Sequence, residues 1–311
     1  MPGHDGDISW PVLRRIVQDW AGTSAQLAEV KPLIGGCINT TLLLITSSGD
    51  RAVLKISQHR VNQAYQREAH QLELLRRLDL PVPQVYQTQV ADLDHPDSFL
   101  LMQYIPGMNL GEARKVLSLD EFNQVQEHLA ELMLAMHSHT ADAYQRVTPD
   151  GSERFSSWPQ FYRQVYDQIW RETEKSKVLP VKCRKQIGKI HDRLERLIAH
   201  SDSPRLVHWD VWATNLMVNQ DETGRWRIAA LLDPNCKYAH CEAEIAYMDL
   251  FHTITPAFIK RYQQNKRLDE GYHRIRRAVY QLYPLIDHVH LFGQGYVKPL
   301  MEVVDRLGTA V

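Results

Sequence analysis

The feature that most constrains the fold is a short β-prone island in a chain that is otherwise mainly helical after residue 120. Two apolar runs, "NLMV" and "WRIAALL", flank the turn "DETG" and predict a β-hairpin. Asp210 precedes this hairpin, Asn215 stands five positions later at the start of its first run, and Asp233 follows the second run directly. Carboxylate and amide oxygens are ligands for hard cations, so the sequence predicts a cation-binding group at the hairpin.

The bulk composition excludes several classes of partner. The chain has 311 residues, with 36 Lys plus Arg against 37 Asp plus Glu and a formal net charge of -1. This balance provides no basic surface for nucleic acid or anionic membrane. The first twenty residues lack the pattern of a secretory signal, and no stretch approaches the roughly 18 apolar residues of a membrane helix. We therefore expect a soluble, cytoplasmic protein without nucleic-acid or membrane partners.

Helix and strand patterns alternate over the first hundred residues. Residues 8–20 and 61–78 have helical periodicity, the runs on either side of "SSGD" predict a hairpin, and "SFLLMQYI" predicts a third strand. Helical patterns then dominate from residue 120 to the end, apart from the island. The order predicts an α+β protein with a small β-sheet lobe over 1–104 and a mainly helical lobe over 105–311.

The spacing around the island is typical of kinase catalytic loops. Asp210 and Asn215 have the separation found in the pattern H-R-D-L-x-x-x-N. Phosphoryl transfer requires a carboxylate beside the acceptor hydroxyl and oxygen ligands for magnesium. We therefore expect Asp210 to accept or orient the hydroxyl proton, and Asn215 and Asp233 to bind Mg²⁺. His208 is expected to brace the loop backbone.

Candidates for phosphate binding lie earlier in the chain. Lys55 stands in "AVLK", close to the strand pattern V-A-I-K, and Glu68 follows on the next predicted helix with Glu73 as the competing counter-ion. A solvated edge-strand lysine and an ordinary helix acid are the simpler alternatives. Gly35 and Gly36 precede a strand and would let the backbone approach phosphate oxygens, although two glycines more often form a turn.

Trp209 stands where many such loops have glycine. A loop that required positive φ would strain a tryptophan. Protein kinases have arginine at this point of the pattern, so we expect the backbone to tolerate a side chain. Trp209 should then pack against apolar neighbours and leave Asp210 in place.

Longer segments make the chain resemble the fructosamine-3-kinases, the ketosamine kinase branch of the aminoglycoside phosphotransferase-like fold. "HWDVWATN" resembles their H-G-D-L-W-S-G-N loop, and "GGCIN" at 35–39 resembles their phosphate loop. "DPNCKYAHCEAEIAY" resembles D-P-A-x-F-Y-G-H-x-E-x-E-L-A. "YQLYPLIDHVHLFGQGY" resembles Y-Q-L-Y-x-x-L-N-H-x-N-L-F-G-x-G-Y. The resemblance covers residues 30 to 307, and the last two segments are its most specific part.

The resemblance implies a bilobal protein-kinase-like fold that uses ATP and Mg²⁺. It also implies phosphorylation of a sugar hydroxyl on a ketosamine, the adduct of a sugar with an amine, and through that a role in deglycation. Asp210 is the implied base, and Lys55 and Glu68 are the implied phosphate-orienting pair. The implied nucleotide contacts are Gly35, Gly36, Cys37, Ile38, Asn39, Lys55, Met102, Gln103, Tyr104 and Ile105.

The acceptor side departs from the family pattern, so the sequence leaves the acceptor open. Where the family pattern has glycine, this chain has Trp209, Ala239 and the pair His252-Thr253. Glu242 or Glu244 could contact a cationic amine of the substrate. Alternatively, one of them could form a hydrogen bond with the backbone of the catalytic loop, and Glu244 is the better candidate for this. For His288 a satisfied core histidine is the more common case. The candidate substrate residues are Trp212, His240, Glu242 and His288.

The four cysteines form no CxxC pair and are expected to be free thiols in a reducing compartment. The resemblance implies that Cys37 responds to redox conditions and bridges two subunits. The alternative is a small side chain that fills a gap. The expected state is a monomer or a homodimer linked through Cys37.

Three other functions remain open from the sequence. A kinase of the same class could act on another hydroxyl, such as that of choline or an aminoglycoside. Trp209 could mark a non-catalytic nucleotide-binding protein, although the retention of Lys55, Asp210, Asn215 and Asp233 argues against this. Nucleotidyl transfer on the same fold would give an AMP product, whereas phosphoryl transfer gives ADP.

Overall fold

The computed structural model describes residues 8–33, 40–200 and 202–308. The chain divides into two compact units. The first unit comprises Met1–Lys115, Thr148–Asp150 and Thr214–Asn235. The second unit comprises Val116–Val147, Gly151–Ala213 and Cys236–Val311.

The secondary structure is as follows over the described residues. The helices are α1 (Trp10–Ala21), α2 (Gln63–Arg77), α3 (Leu110–Val116), α4 (Leu119–Ser138), α5 (Trp158–Lys175), α6 (Val181–Asp192), α7 (Leu194–Leu197), α8 (Cys241–Leu250), α9 (Pro256–Gln263), α10 (Arg277–Phe292) and α11 (Val297–Gly308). The strands are β1 (Leu27–Pro32), β2 (Thr40–Thr46), β3 (Arg51–Ser57), β4 (Val85–Gln89), β5 (Ser98–Gln103), β6 (Met108–Asn109), β7 (Gln145–Arg146), β8 (Arg205–Val207), β9 (Leu216–Gln220), β10 (Trp226–Leu231) and β11 (Lys237–Ala239). None of these helices is both long and apolar enough to cross a membrane.

An antiparallel sheet forms the main part of the first unit. Its strand order is β1-β2-β3-β5-β4. Helix α1 buries Leu13 and Ile16 against Leu44 and Leu54 of the central strands, because its apolar residues recur with helical spacing. The hairpin predicted around "SSGD" is confirmed as β2 and β3, and the predicted third strand as β5.

The sequence did not predict β1 and β4. Both are edge strands of the sheet, and their residues are half-buried or exposed. A strand that faces solvent on one edge needs no continuous apolar run, so its sequence resembles that of a loop.

A second, smaller sheet carries the predicted hairpin. Its order is β10-β9-β6, and β9 pairs antiparallel with both neighbours. The hairpin around "DETG" is therefore confirmed. Because β9 also pairs with β6, residues 105–115 and Thr214–Asn235 group with the first unit, which differs from the division predicted after residue 104.

The helices of the second unit enclose an aromatic core. Trp158, at the start of α5, is fully buried and contacts Tyr144, Tyr162 and Tyr280. The helical pattern predicted from residue 120 onward is confirmed in α4 and α5. The prediction of helix alone after the hairpin was wrong, because β11 pairs there between β7 and β8. Strand β11 has only three residues, which are too few to show the alternating apolar pattern of a strand in the sequence.

Gly107 permits the close approach of β6 to β9. Its φ is 131°, and a Cβ there would collide with the carbonyl oxygen of Val218. Gly49 also has positive φ, 91°, but a Cβ there would meet open space. We expect Gly49→Ala to cost about 1–2 kcal/mol for backbone strain alone. Gly107→Ala should cost clearly more, because the backbone of β9 must also move.

Urea denaturation of the two variants measures this difference. Equal losses of unfolding free energy for Gly107→Ala and Gly49→Ala would contradict the steric argument and leave only the φ effect.

Candidate active site

Lys55 makes two ion pairs within the first unit. Its Nζ donates to Oε1 of Glu68 and to Oδ1 of Asp233, each at 2.7 Å. Lys55 lies on β3, Glu68 on α2, and Asp233 two residues after β10. The pairing of Lys55 with Glu68 is the one predicted from the sequence, and the competing Glu73 is exposed.

The two carboxylates keep the buried lysine charged. Burial alone would lower the pKa of Lys55, but the charges and hydrogen bonds of Glu68 and Asp233 raise it above its ordinary value. Burial raises the pKa of Glu68, and the nearby Lys55 opposes this. The side chain of Asp233 is 42% exposed against 14% for Glu68. Asp233 is therefore the carboxylate that a further cation can reach.

Asn215 and Asp233 lie at the same end of the hairpin. Leu216 pairs with Leu231, and the backbone N–H of Leu232 donates to the carbonyl of Asn215 at 2.8 Å. Asp233 has a φ of 56°, a left-handed conformation that costs energy and is frequent at functional sites. An amide and a carboxylate oxygen suit Mg²⁺. The donor chemistry of this pair therefore fits the expected metal.

The predicted nucleotide segment comprises the last two residues of β5 and the two residues that follow it. Met102 is buried, while Tyr104 and Ile105 are half-buried. The backbone N–H of Gln103 donates to the carbonyl of Gln84 at 2.8 Å, so this group has a partner inside the sheet. The guanidinium of Arg51 lies 4.7 Å from the ring centre of Tyr104. Nucleotide binding by this segment stays a prediction.

The predicted phosphate loop lies outside the described residues. This applies to Gly35, Gly36, Cys37, Ile38 and Asn39. The cysteines at 183, 236 and 241 are buried free thiols. The proposed redox role of Cys37 stays a prediction.

In the second unit, the catalytic-loop candidate is held by hydrogen bonds with two side chains of α8. The hydroxyl of Tyr247 on α8 donates to Oδ1 of Asp210 at 2.8 Å. The backbone N–H of Trp209 donates to Oε1 of Glu244 at 2.6 Å. The loop therefore has a fixed backbone and an oriented carboxylate.

Glu244 is the centre of a buried chain of hydrogen bonds, which we call the bracing network. Its Oε2 bonds Nε2 of His137 at 2.8 Å, and Nδ1 of His137 bonds the hydroxyl of Tyr262 at 2.8 Å. Burial would raise the pKa of Glu244, but its bond to His137 and the nearby charges lower it. Glu244 therefore stays ionised, and its predicted bond to the loop backbone is confirmed.

Trp209 adopts a positive φ of 69°. The backbone therefore has the conformation that glycine adopts most easily, which is the case expected to strain a tryptophan. The indole lies 6.4 Å from the ring of Trp158, and Nζ of Lys237 lies 4.5 Å from the indole centre. These aromatic and cation–π contacts offset the backbone strain.

Two of the predicted substrate residues have internal partners instead. Both carboxylate oxygens of Glu242 accept from Arg276, at 2.6 and 2.7 Å. His240 is buried, shares a hydrogen bond with the hydroxyl of Tyr280 at 3.0 Å and stacks on His200. Buried polar groups normally have such partners, so these contacts favour a structural role, and a substrate role for Glu242 and His240 stays a prediction.

The other two predicted substrate residues remain accessible. Trp212 is 37% exposed and lies two residues after Asp210. His288 is half-buried, its Nδ1 donates to the carbonyl of Pro284 at 2.8 Å, and its ring faces Phe251, Phe292 and Tyr296. His288 is therefore more exposed to solvent than a histidine in a protein core.

Sequence reasoning missed Tyr247, His137 and Tyr262. His137 and Tyr262 lie far from the loop in sequence, so nothing in the sequence pairs them with it. Tyr247 could have been found, because it follows Glu244 by three residues on one helix face.

Comparison with solved structures defines the fold. A Thermobifida fusca protein provisionally assigned as a fructosamine-3-kinase aligns with a TM-score of 0.75 and 21% identity, over 97% of this chain and 100% of that one. An aminoglycoside phosphotransferase in complex with AMP-PNP and hygromycin B aligns with a TM-score of 0.67 and 16% identity, over 94% and 96%. The predicted protein-kinase-like α+β fold is confirmed.

Sequence comparison shows the family. The family model described as fructosamine kinase matches residues 9–309. A probable ketoamine kinase of Vibrio parahaemolyticus is 24% identical over 96% of this chain and 99% of its own length. A probable ketoamine kinase of Escherichia coli is 25% identical over 96% and 99%. The chain belongs to the fructosamine kinase family and is thus a phosphotransferase with an alcohol acceptor.

Two substitutions separate strain from packing at Trp209. Trp209→Ala removes the indole contacts and keeps the β-carbon strain, whereas Trp209→Gly removes both. We expect the glycine variant to be more stable than the alanine variant by about 1–2 kcal/mol, with turnover of Trp209→Gly within a few-fold of the parent. Thermal denaturation and steady-state kinetics check this. An alanine variant as stable as the glycine variant would show that the loop is unstrained.

Glu244 offers a second matched pair. Glu244→Gln keeps an oxygen for the Trp209 N–H, and His137 can change tautomer to accept from the amide. Glu244→Leu leaves both partners unsatisfied, so we expect it to cost about 3 kcal/mol or more against a small cost for glutamine. Chemical denaturation measures both. Equal costs would mean that the carboxylate charge, not the hydrogen bonds, holds the loop.

Proposed function

We propose that this protein transfers the γ-phosphoryl group of ATP to a sugar hydroxyl of a ketosamine. The observation that carries the proposal is the placement of Lys55 between Glu68 and Asp233. A buried ammonium held by two acids is a preorganised counter-charge for phosphate oxygens. Family membership supports both the reaction and the ketosamine acceptor.

The first unit would bind the nucleotide. Lys55, fixed by Glu68, would contact phosphate oxygens. Asn215 and Asp233 would hold Mg²⁺, which supplies charge neutralisation to the transferring phosphoryl group when bound. The accessible carboxylate of Asp233 supports this role, since it can contact both the lysine and a metal.

The second unit would prepare the acceptor. Asp210 would take the proton of the attacking hydroxyl as the new O–P bond forms and the bond to the β-phosphate oxygen breaks, which leaves ADP. The Tyr247 hydroxyl restricts rotation of the Asp210 carboxylate, and Glu244 holds the preceding backbone N–H. Catalysis would therefore depend on positioning more than on covalent chemistry. Phosphorylation at the third sugar carbon would let the adduct break down, so the proposed role is deglycation.

The proposal predicts activity with ketosamines that requires Asp210. ATP consumption is measured with fructosyl- and ribosyl-amines, choline and aminoglycosides. We expect turnover with a ketosamine, and Asp210→Asn should reduce kcat by about 10²- to 10⁴-fold, because the amide cannot accept the proton. Asp192→Asn, an exposed acid on α6, is the matched control and should keep full activity.

The products and substrates separate the alternatives. Release of ADP indicates phosphoryl transfer, whereas release of pyrophosphate with AMP attached to the acceptor would indicate nucleotidyl transfer. Turnover with choline or an aminoglycoside alone would replace the ketosamine as acceptor. Equal rates for the parent and Asp210→Asn would remove Asp210 as the base.

A further inference from the structure

A row of aromatic rings begins at the catalytic aspartate candidate. Tyr247, whose hydroxyl bonds Asp210, has its ring centre 4.8 Å from that of Phe251. Phe251 lies 4.6 Å from His288, which lies 5.3 Å from Phe292 and 4.9 Å from Tyr296. We call these five side chains the ring row: Tyr247, Phe251, His288, Phe292 and Tyr296.

The ring row is open to solvent along its length. Tyr247, Phe251, His288 and Tyr296 are half-buried, unlike the fully buried rings around Trp158. Phe292 is 51% exposed and its neighbour Leu291 is 60% exposed. Clustered rings that remain accessible are typical of ligand-binding surfaces rather than of a core.

An unpaired carboxylate accompanies the row. Asp287 precedes His288 on α10, and its pKa is raised because it is half-buried. Asp287 also interacts electrostatically with Tyr247. The pKa of Tyr247 is raised by burial, by Asp210 and, to a smaller extent, by Asp287. No lysine or arginine among the described residues pairs with Asp287. The titratable groups that act on it are His288, His290 and Glu172.

Other carboxylates on these two helices are paired, which makes Asp287 distinct. On α8, Glu242 binds Arg276, and Asp249 binds Arg277 as well as Gln281 of α10. These bonds fix α8 against α10 and so hold Tyr247 and Phe251 in register with His288. The arrangement is therefore a built surface and not a chance approach of mobile side chains.

We propose that Asp287 and the ring row bind the protonated amine of the acceptor. Aromatic faces attract a cation through their quadrupole, and a half-buried carboxylate without a cationic partner gains a counter-ion when the amine binds. The acceptor hydroxyl lies at Asp210, the amine lies at Asp287, and the substituent on nitrogen follows the rings toward Phe292. This inference deepens the proposed function and rests on it for the place of the hydroxyl.

A matched pair of ligands isolates the charge. 1-Deoxy-1-(butylamino)fructose carries a protonated nitrogen, and 1-O-butylfructose has an uncharged oxygen at the same position. Calorimetric titration gives Kd for both ligands, and ATP consumption gives kcat/KM. We expect the parent protein to bind the amine about tenfold more tightly than the ether.

Two variants, each of which removes one negative charge, test whether Asp287 causes the preference for the amine over the ether. Asp287→Asn should reduce the preference for the amine to less than about threefold and leave the affinity for the ether unchanged. Glu302→Gln, an exposed acid on α11, removes the same charge elsewhere and should keep the tenfold preference. Phe292→Leu, at an exposed position, should weaken binding of the amine and of the ether by a similar factor, because the butyl group that both ligands carry follows the rings toward Phe292.

The outcomes separate the inference from the proposed function. No preference for the amine in the parent, or the same preference in Asp287→Asn, would overturn the inference. Absence of binding by both ligands would also overturn it. Preferential binding of the amine without phosphorylation would support the inference and overturn the proposed function.

Discussion

The buried ammonium of Lys55 is the constraint on which the first unit depends. A charge removed from water is tolerated only with counter-charges and hydrogen bonds, and here Glu68 and Asp233 supply them from a helix and from the end of a hairpin. One side chain of β3 therefore fixes α2 and the end of β10 relative to the sheet. The same demand creates a site that suits phosphate, because the positive charge is already desolvated and oriented.

The second unit contains a buried negative charge that likewise requires hydrogen-bond partners. Glu244 is fully buried, and it is satisfied by His137 and by the backbone N–H of Trp209. Its helix also carries Tyr247 to Asp210, so a single helix positions both the backbone and the side chain of the loop. The positive φ of Trp209 persists because these contacts and the packing of the indole outweigh the strain.

Local patterns predicted the parts of the molecule that have local causes. The hairpin around "DETG", helices α4 and α5, and the spacing of Lys55 to Glu68 all follow from periodicity and short-range pairing. Edge strands β1 and β4 could not be predicted, since exposure removes their apolar signal. The partners of Glu242 and His240 could not be predicted either, because Arg276 and Tyr280 approach them from distant parts of the chain. The tertiary structure decides which carboxylates are paired and which are accessible, and the spacing of residues in the sequence does not predict it.

The hairpin that carries Asn215 and Asp233 enters the first unit late in the chain. Asp233 lies 178 residues after Lys55. A ribosome that has made β1 to β5 has not yet made this second counter-charge, so the nascent sheet holds a lysine with half of its final compensation. The first unit therefore reaches its native electrostatic balance only when synthesis passes residue 233, and a fragment that ends at Lys115 would never reach it. Completion of this unit is tied to synthesis of most of the chain.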